Sequence, residues 1–191
     1  FGKTGFSYMF NENHSIGAYY SNGFTKQKSE HTGISRVLAD GQPYDNLSMY
    51  GRSNNNTLPK HHANLYYTGE IGKLGIDFNM DYMWRKNRNS MFNDETSDTQ
   101  DNSLVNSIGV SRSRMLAEKL VFSYPFWKGG IEFGEEYTSS RFSSEYNTDA
   151  AFVGNADSKV DENNIAGLVE IGQTFGQFNI GVGLRYEHVK F

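Results

Sequence analysis

The sequence predicts an all-β protein: an antiparallel, up-and-down transmembrane β-barrel segment of about eight strands. Three observations predict it. Apolar and polar residues alternate with period two over long stretches, short polar connections alternate with long ones, and aromatic residues gather at strand ends. Period two sends successive side chains to opposite faces, so each strand has one apolar and one polar side. Tight turns at one end and long loops at the other are the asymmetry of membrane barrels. Aromatic girdles mark the two bilayer interfaces.

The elements follow in order. Phe6, Tyr8 and Phe10 lead into a turn at Asn11–His14, and Ile16, Ala18 and Tyr20 follow it. The polar stretch from Lys26 to Leu58 is expected as a long loop. Gly33 to Tyr50 within it is expected to hold an extra hairpin turning at Asp40-Gly41. Ala63, Leu65, Tyr67, Gly69 and Ile71 then alternate with His62, Asn64, Tyr66, Thr68 and Glu70. After a turn at Gly72-Lys73 comes the clearest strand, with Leu74, Ile76, Phe78, Met80, Tyr82 and Trp84 on one face. Gly75, Asp77, Asn79 and Asp81 occupy its other face. Lys86–Asn102 is expected as a second long loop, and Asn54-Asn55-Asn56 as a mobile part of the first.

A long fifth strand runs from about Ser103 to Tyr124. Its part from Ser113 to Val121 is rich in helix formers and open to a helical reading. The alternation of Leu120, Phe122, Tyr124 and Phe126 favours the strand. A turn at Trp127–Gly129 leads to Ile131 and Phe133, and Ser143–Asn163 is expected as the third long loop. Ile165, Val169 and Ile171 form the seventh strand. After Gly176-Gln177, the run Phe178, Ile180, Val182, Leu184 and Tyr186 forms the eighth.

Composition agrees. Hydrophobic residues make up 37%, a low share, while aromatics reach 15%. Disordered chains are poor in aromatics, so the pattern points to a two-faced sheet. Cysteine is absent, which excludes disulfides and thiolate metal sites. The net charge of -4, with no basic stripe, argues against a nucleic-acid partner. No apolar run approaches the ~20 residues of a membrane-spanning helix. The start at Phe1 carries no leader pattern, as expected of a processed chain or an excised piece.

Alternation alone does not say which face is buried. A soluble sheet turns its apolar face inward, and a membrane barrel turns it to lipid. Charges on the polar face at mid-strand (Asp77, Asp81, Glu132, Glu170 and Arg185) and frequent glycine within strands favour the membrane. Glu135 falls on the apolar face between Phe133 and Tyr137. It is expected either near the headgroups or shifted by a bulge.

Catalytic chemistry is not expected. His14, His31, His61, His62 and His188 have no Ser or Asp partner at a recognisable spacing. His61 and His62 point to opposite faces and are poor joint ligands, so neither metal nor cofactor is expected. Asp77 and Asp81 share a face but lie about 13 Å apart, too far for paired acid–base work. Asp77, Asp81, Arg85, Arg88 and Arg185 remain as candidate ligand contacts on the lumen wall or loops. Tyr44, Tyr50 and Arg52 are further loop residues of binding type.

The stretch Asn163–Tyr186, followed by Glu187 and His188, resembles the barrel of TonB-dependent outer-membrane receptors from Bacteroidetes-type bacteria. It is similar in particular to their outer membrane protein beta-barrel family, whose "GLRYE" strand is matched by Gly183-Leu184-Arg185-Tyr186-Glu187. Leu120 to Tyr137 resembles a hairpin of the same family. The resemblance implies residence in the bacterial outer membrane, within a barrel of 22 strands that surrounds a plug domain. On it, residues 1–191 are a partial barrel domain without the plug. The implied partners are outer-membrane lipid, the plug of the same parent chain and, through that chain, the TonB complex. The implied function is import of a scarce nutrient: a siderophore, cobalamin, a glycan or a peptide. The alternative is a complete eight-stranded barrel with a structural or adhesion role, in which Glu132 or Glu170 would pair with Arg185.

Overall fold

A computed structural model describes residues 1–151 and 153–191. These form one eight-stranded sheet in which every strand pairs antiparallel with the next, in the order β1 to β8. The strands are β1 (Gly2–Asn11), β2 (His14–Ala39), β3 (Gln42–Ile71), β4 (Leu74–Ser97), β5 (Ser103–Phe126), β6 (Gly129–Thr148), β7 (Ala156–Phe175) and β8 (Phe178–Lys190). β1 and β8 share no ladder, so the sheet is open.

No second layer covers either face. Ala166 is the one buried hydrophobic residue among those described, while Leu184 and Val182 are 74% and 66% exposed. Folding has therefore segregated apolar from polar side chains without giving the apolar ones a protein partner. Such a face is stable against hydrocarbon and unfavourable against water.

The register carries a second signature. The hairpins close at the pairs Asn11–His14, Ile71–Leu74, Phe126–Gly129 and Phe175–Phe178. His14 pairs with Gly69, Gly75 with Ser123, and Gly129 with Gln173. Each short turn therefore lies two residues lower in the ladder than the one before, a stagger of one residue per strand. With a rise of ~3.4 Å and a strand spacing of ~4.8 Å, that stagger brings the turns level when the strands tilt by about 35°. Membrane barrels tilt their strands by about 35–45°.

Depth can now be read from the turns, at roughly 2.8 Å per residue along strands of this tilt. Trp127 and Phe175 pack edge to face at the turn level, 5.3 Å between centroids. Trp84 lies ten residues above Leu74, about 28 Å higher, and stacks on His61 with centroids 5.1 Å apart. The interval matches an apolar band of about 25 Å between aromatic girdles.

Glu135 stays on the apolar face, because neither ladder of β6 has a bulge. It sits six residues above Gly129, about 17 Å up and two residues beneath Tyr137. Glu118 also faces this side, opposite Tyr137 and at its level. Glu118 thus lies toward the outer interface, where a charge costs least, whereas Glu135 stays inside the apolar band, a little above its middle.

The three stretches expected as long loops are mostly strand. β2 and β3 continue to a two-residue turn at Asp40-Gly41, and β4 to β7 also run well past the girdle. Asn54-Asn55-Asn56, Tyr44, Tyr50 and Arg52 all lie within β3. Above the membrane both faces meet water, so apolar alternation vanishes, yet the antiparallel ladder still satisfies every backbone group it pairs. The Asp40-Gly41 hairpin forms as expected: φ is 51° and 78°, positive at both central residues, the signature of a type I′ turn. Ser113 to Val121 is strand throughout. One irregularity, between Thr57 and Lys60, spans Pro59, which has no N–H to give the ladder.

At the top, carboxylates pin the strand ends. Asp45 accepts hydrogen bonds from Ser97 Oγ (2.7 Å) and the Asp98 N–H (2.9 Å). Asp149 accepts from Asn106 Nδ2 (2.9 Å) and the Asn106 N–H (2.6 Å). The Ser97 hydroxyl and the Asn106 side-chain amide hold these two carboxyls below the usual carboxylate range. A carboxyl with a depressed folded pKa stabilises above its unfolded value and loses that contribution as pH falls through the folded one. The amides of Asp98 and Asn106 are therefore expected to keep constant hydrogen-exchange protection from pH 8 to 5 and to lose it toward pH 3. Undiminished protection at pH 2 would refute this.

Candidate functional site on the polar face

On the polar face, side chains of unlike chemistry from several strands converge within the membrane band. Small residues beneath long ones make this possible. Tyr66 of β3 reaches across β2 at Gly17 and donates to Ser7 Oγ of β1 (3.1 Å). Arg185 of β8 reaches across β7 to Glu136 of β6, with Nη1 to Oε2 at 2.6 Å. Ala166, paired with both Glu136 and Glu187, lies beneath that bridge and is only 2% exposed. Lys119 completes the group from β5, 2.9 Å from Glu136 Oε1.

Glu136 thus links three strands, β5, β6 and β8, across β7. Replacing it by alanine is expected to leave Lys119 unpaired and Arg185 with only Glu187, 3.6 Å away, and to lower the heat-modifiability midpoint. Glu132→Ala serves as the comparison, since Glu132 stands directly opposite Glu170 with no ion pair among the described residues. Removing one of two opposed like charges relieves repulsion. Equal losses in the two variants would overturn the bridge as a stabilising element.

The five residues singled out by sequence do not form one site. Asp77 is exposed on the polar face, opposite Thr68 and Val121. Asp81 accepts from His62 Nε2 (2.7 Å) and Asn64 Nδ2 (3.0 Å). Arg85 lies opposite Lys60 and Ser113 at the wall of a cavity of about 580 Å³. Arg185 belongs to the Glu136 bridge and pairs with neither Glu132 nor Glu170. Arg88 is three residues beyond Arg85, opposite Asn56 and Val110, and so points from the other face.

His61 and His62 do face opposite ways. His61 stacks on Trp84 in the outer girdle, where it is also bonded to Tyr20 Oη, while His62 meets Asp81. Sequence reasoning missed Lys3, Lys60, Lys119 and Glu136 as site residues. Period two places Lys119 and Glu136 on the polar face, but only the register makes them neighbours. Lys60 shares the parity of His62 and Asn64, but only the register sets it directly opposite Arg85.

The sequence pattern of the outer membrane protein beta-barrel family matches residues 67–191. Among solved structures, the chain is similar to BauA, the ferric preacinetobactin receptor from Acinetobacter baumannii. Identity there is 12% and the TM-score 0.40, over 87% of this chain and 29% of that one. It is similar to the ferric yersiniabactin uptake receptor FyuA from Yersinia pestis at 11% identity and a TM-score of 0.30, over 93% and 43%. A major outer membrane protein from Thermus thermophilus aligns at 10% identity and a TM-score of 0.20, over 78% and 68%. The chain spans less than a third of the length of the first of these. No curated protein matches it.

Proposed function

The chain belongs to the outer membrane protein beta-barrel family and resides in the bacterial outer membrane, and from that premise we propose that it is barrel wall of a TonB-dependent transporter. The transporter would import a scarce nutrient: a siderophore, cobalamin, a glycan or a peptide. One observation carries the reading. An apolar band between two aromatic girdles backs a polar face that holds charges inside the band, from Glu132 and Glu170 up to the Lys119, Glu136 and Arg185 group. Charges at that depth need an aqueous or protein-filled interior.

The open sheet favours a piece of a larger barrel over a complete eight-stranded one, since β1 and β8 do not pair. The resemblance of Gly183 to Glu187 and of Leu120 to Tyr137 to receptor strands supports a plugged barrel coupled to TonB. The chain's part is structural and conductive: it encloses the plug and lines the route, without covalent chemistry.

The full-length parent protein in planar bilayers tests this. It is expected to keep the membrane sealed until urea displaces the plug, and to conduct afterwards. A protein that conducts freely without urea, or that stays sealed under plug-unfolding conditions, would sink the proposal.

A further inference from the structure

We propose that the polar-face cavity bounded by Lys3, Lys60 and Arg85 is a binding site for a small solute bearing two or more anionic oxygens. The proposal rests on the transporter reading, since it takes this face to line the lumen.

Lys60 and Arg85 are direct register partners on β3 and β4, with Gly23 of β2 opposite Lys60. Lys3 projects from β1 opposite Ser21, whose other partner is His62. All of these residues line one cavity of about 580 Å³. Its lining contains no carboxylate. No described carboxylate lies within ion-pair distance of Lys3, Lys60 or Arg85. The nearest acid on this face, Asp81, already accepts from His62 and Asn64.

Two like charges directly opposite each other destabilise a sheet. A third cation at the same cavity adds to the repulsion, in a chain whose net charge is -4. An anion entering the cavity would remove that repulsion, and two or more anionic oxygens would engage cations from separate strands. The remaining walls suit the body of a small molecule: the Tyr19 ring, which already carries Lys3 at 3.9 Å, and the side chains of Met83 and Met115.

Position supports capture from outside. Arg85 lies eleven residues above Leu74, about 30 Å up and just beyond the Trp84 girdle. The lower polar face is acidic instead, with Glu70, Asp77, Glu132 and Glu170. The cationic cavity therefore stands above a row of carboxylates on the same face.

Citrate and inorganic phosphate are the probes, titrated calorimetrically into the full-length parent protein in detergent. Wild type is expected to bind citrate saturably and more tightly than phosphate, with affinity falling as salt rises. Lys60→Gln with Arg85→Gln is expected to weaken citrate at least tenfold. Lys86→Gln, on the opposite face beside Arg85, is expected to leave it unchanged. Heat-modifiability confirms that each variant is folded. Absence of saturable citrate binding in wild type overturns the site, as does equal weakening by Lys86→Gln or undiminished binding in the double variant. An acidic segment of the plug filling the cavity would show itself as no citrate binding in a protein that still opens with urea. That outcome sinks the site and leaves the transporter reading intact. Citrate binding by a protein that never seals a bilayer does the reverse.

Discussion

An arginine in place of Phe78 is expected to cost about 2–4 kcal/mol of folding free energy in a bilayer. An arginine in place of Asp77, its neighbour in the chain, is expected to cost little. Phe78 lies four residues above Leu74, about 11 Å into the apolar band, between Tyr67 and Leu120. A guanidinium there meets hydrocarbon and has no carboxylate directly opposite it, since its ladder partners are Tyr67 and Leu120 and Glu118 stands only diagonally, two residues beyond Leu120. Asp77 projects to the opposite side, is exposed and has no ion pair among the described residues. Folding of the full-length protein into phosphatidylcholine vesicles, followed against urea, measures both. The reverse order of costs would mean that the apolar rows face something other than lipid, and every depth assigned above would fall with it.

Gly134→Ala is expected to destabilise by about 1–3 kcal/mol, the usual cost of forcing extra volume into a closed contact. Gly134 pairs with Val121, and a Cβ on it would fall well inside van der Waals distance of the Leu120 carbonyl oxygen. That oxygen is backbone within the β5–β6 ladder and has no rotamer to yield. Gly167, one strand away on β7, provides the contrast, because a Cβ there meets nothing within 4 Å. Gly167→Ala is expected to be neutral or slightly stabilising, since it also removes glycine's extra freedom in the unfolded chain. Equal effects at the two positions, read by the same vesicle titration, would show that Gly134 is not held by close approach.

Much of the fold could be read directly from the residues inside the membrane band. Leu74 to Trp84 and Phe178 to Tyr186 alternate because lipid on one side and polar interior on the other impose opposite demands at each step. Beyond the girdle that demand disappears. Lys26–Leu58, Lys86–Asn102 and Ser143–Asn163 therefore looked like loops, although most of their described residues continue the ladder. The candidate site was less legible. Arg85 and Arg88 are equivalent while both are assigned to a loop, and they separate only once β4 is known to pass through both. Glu136 sits among three other carboxylates of one strand (Glu132, Glu135 and Glu145), and nothing local distinguishes it.

The amino-acid sequence by itself determined the eight strands, their hairpin order, the positions of the short turns and the face on which each membrane-band side chain lies. These properties depend on neighbours one or two positions away, and a period of two is enough to state them. Only the tertiary structure decided the one-residue stagger that levels the turns. It also decided the depth of Glu135, the bridge from Lys119 through Glu136 to Arg185, and the meeting of Lys3, Lys60 and Arg85. Those depend on which residue of one strand stands beside which residue of the next. That choice is made by hydrogen-bonded register, and period two within one strand does not encode it.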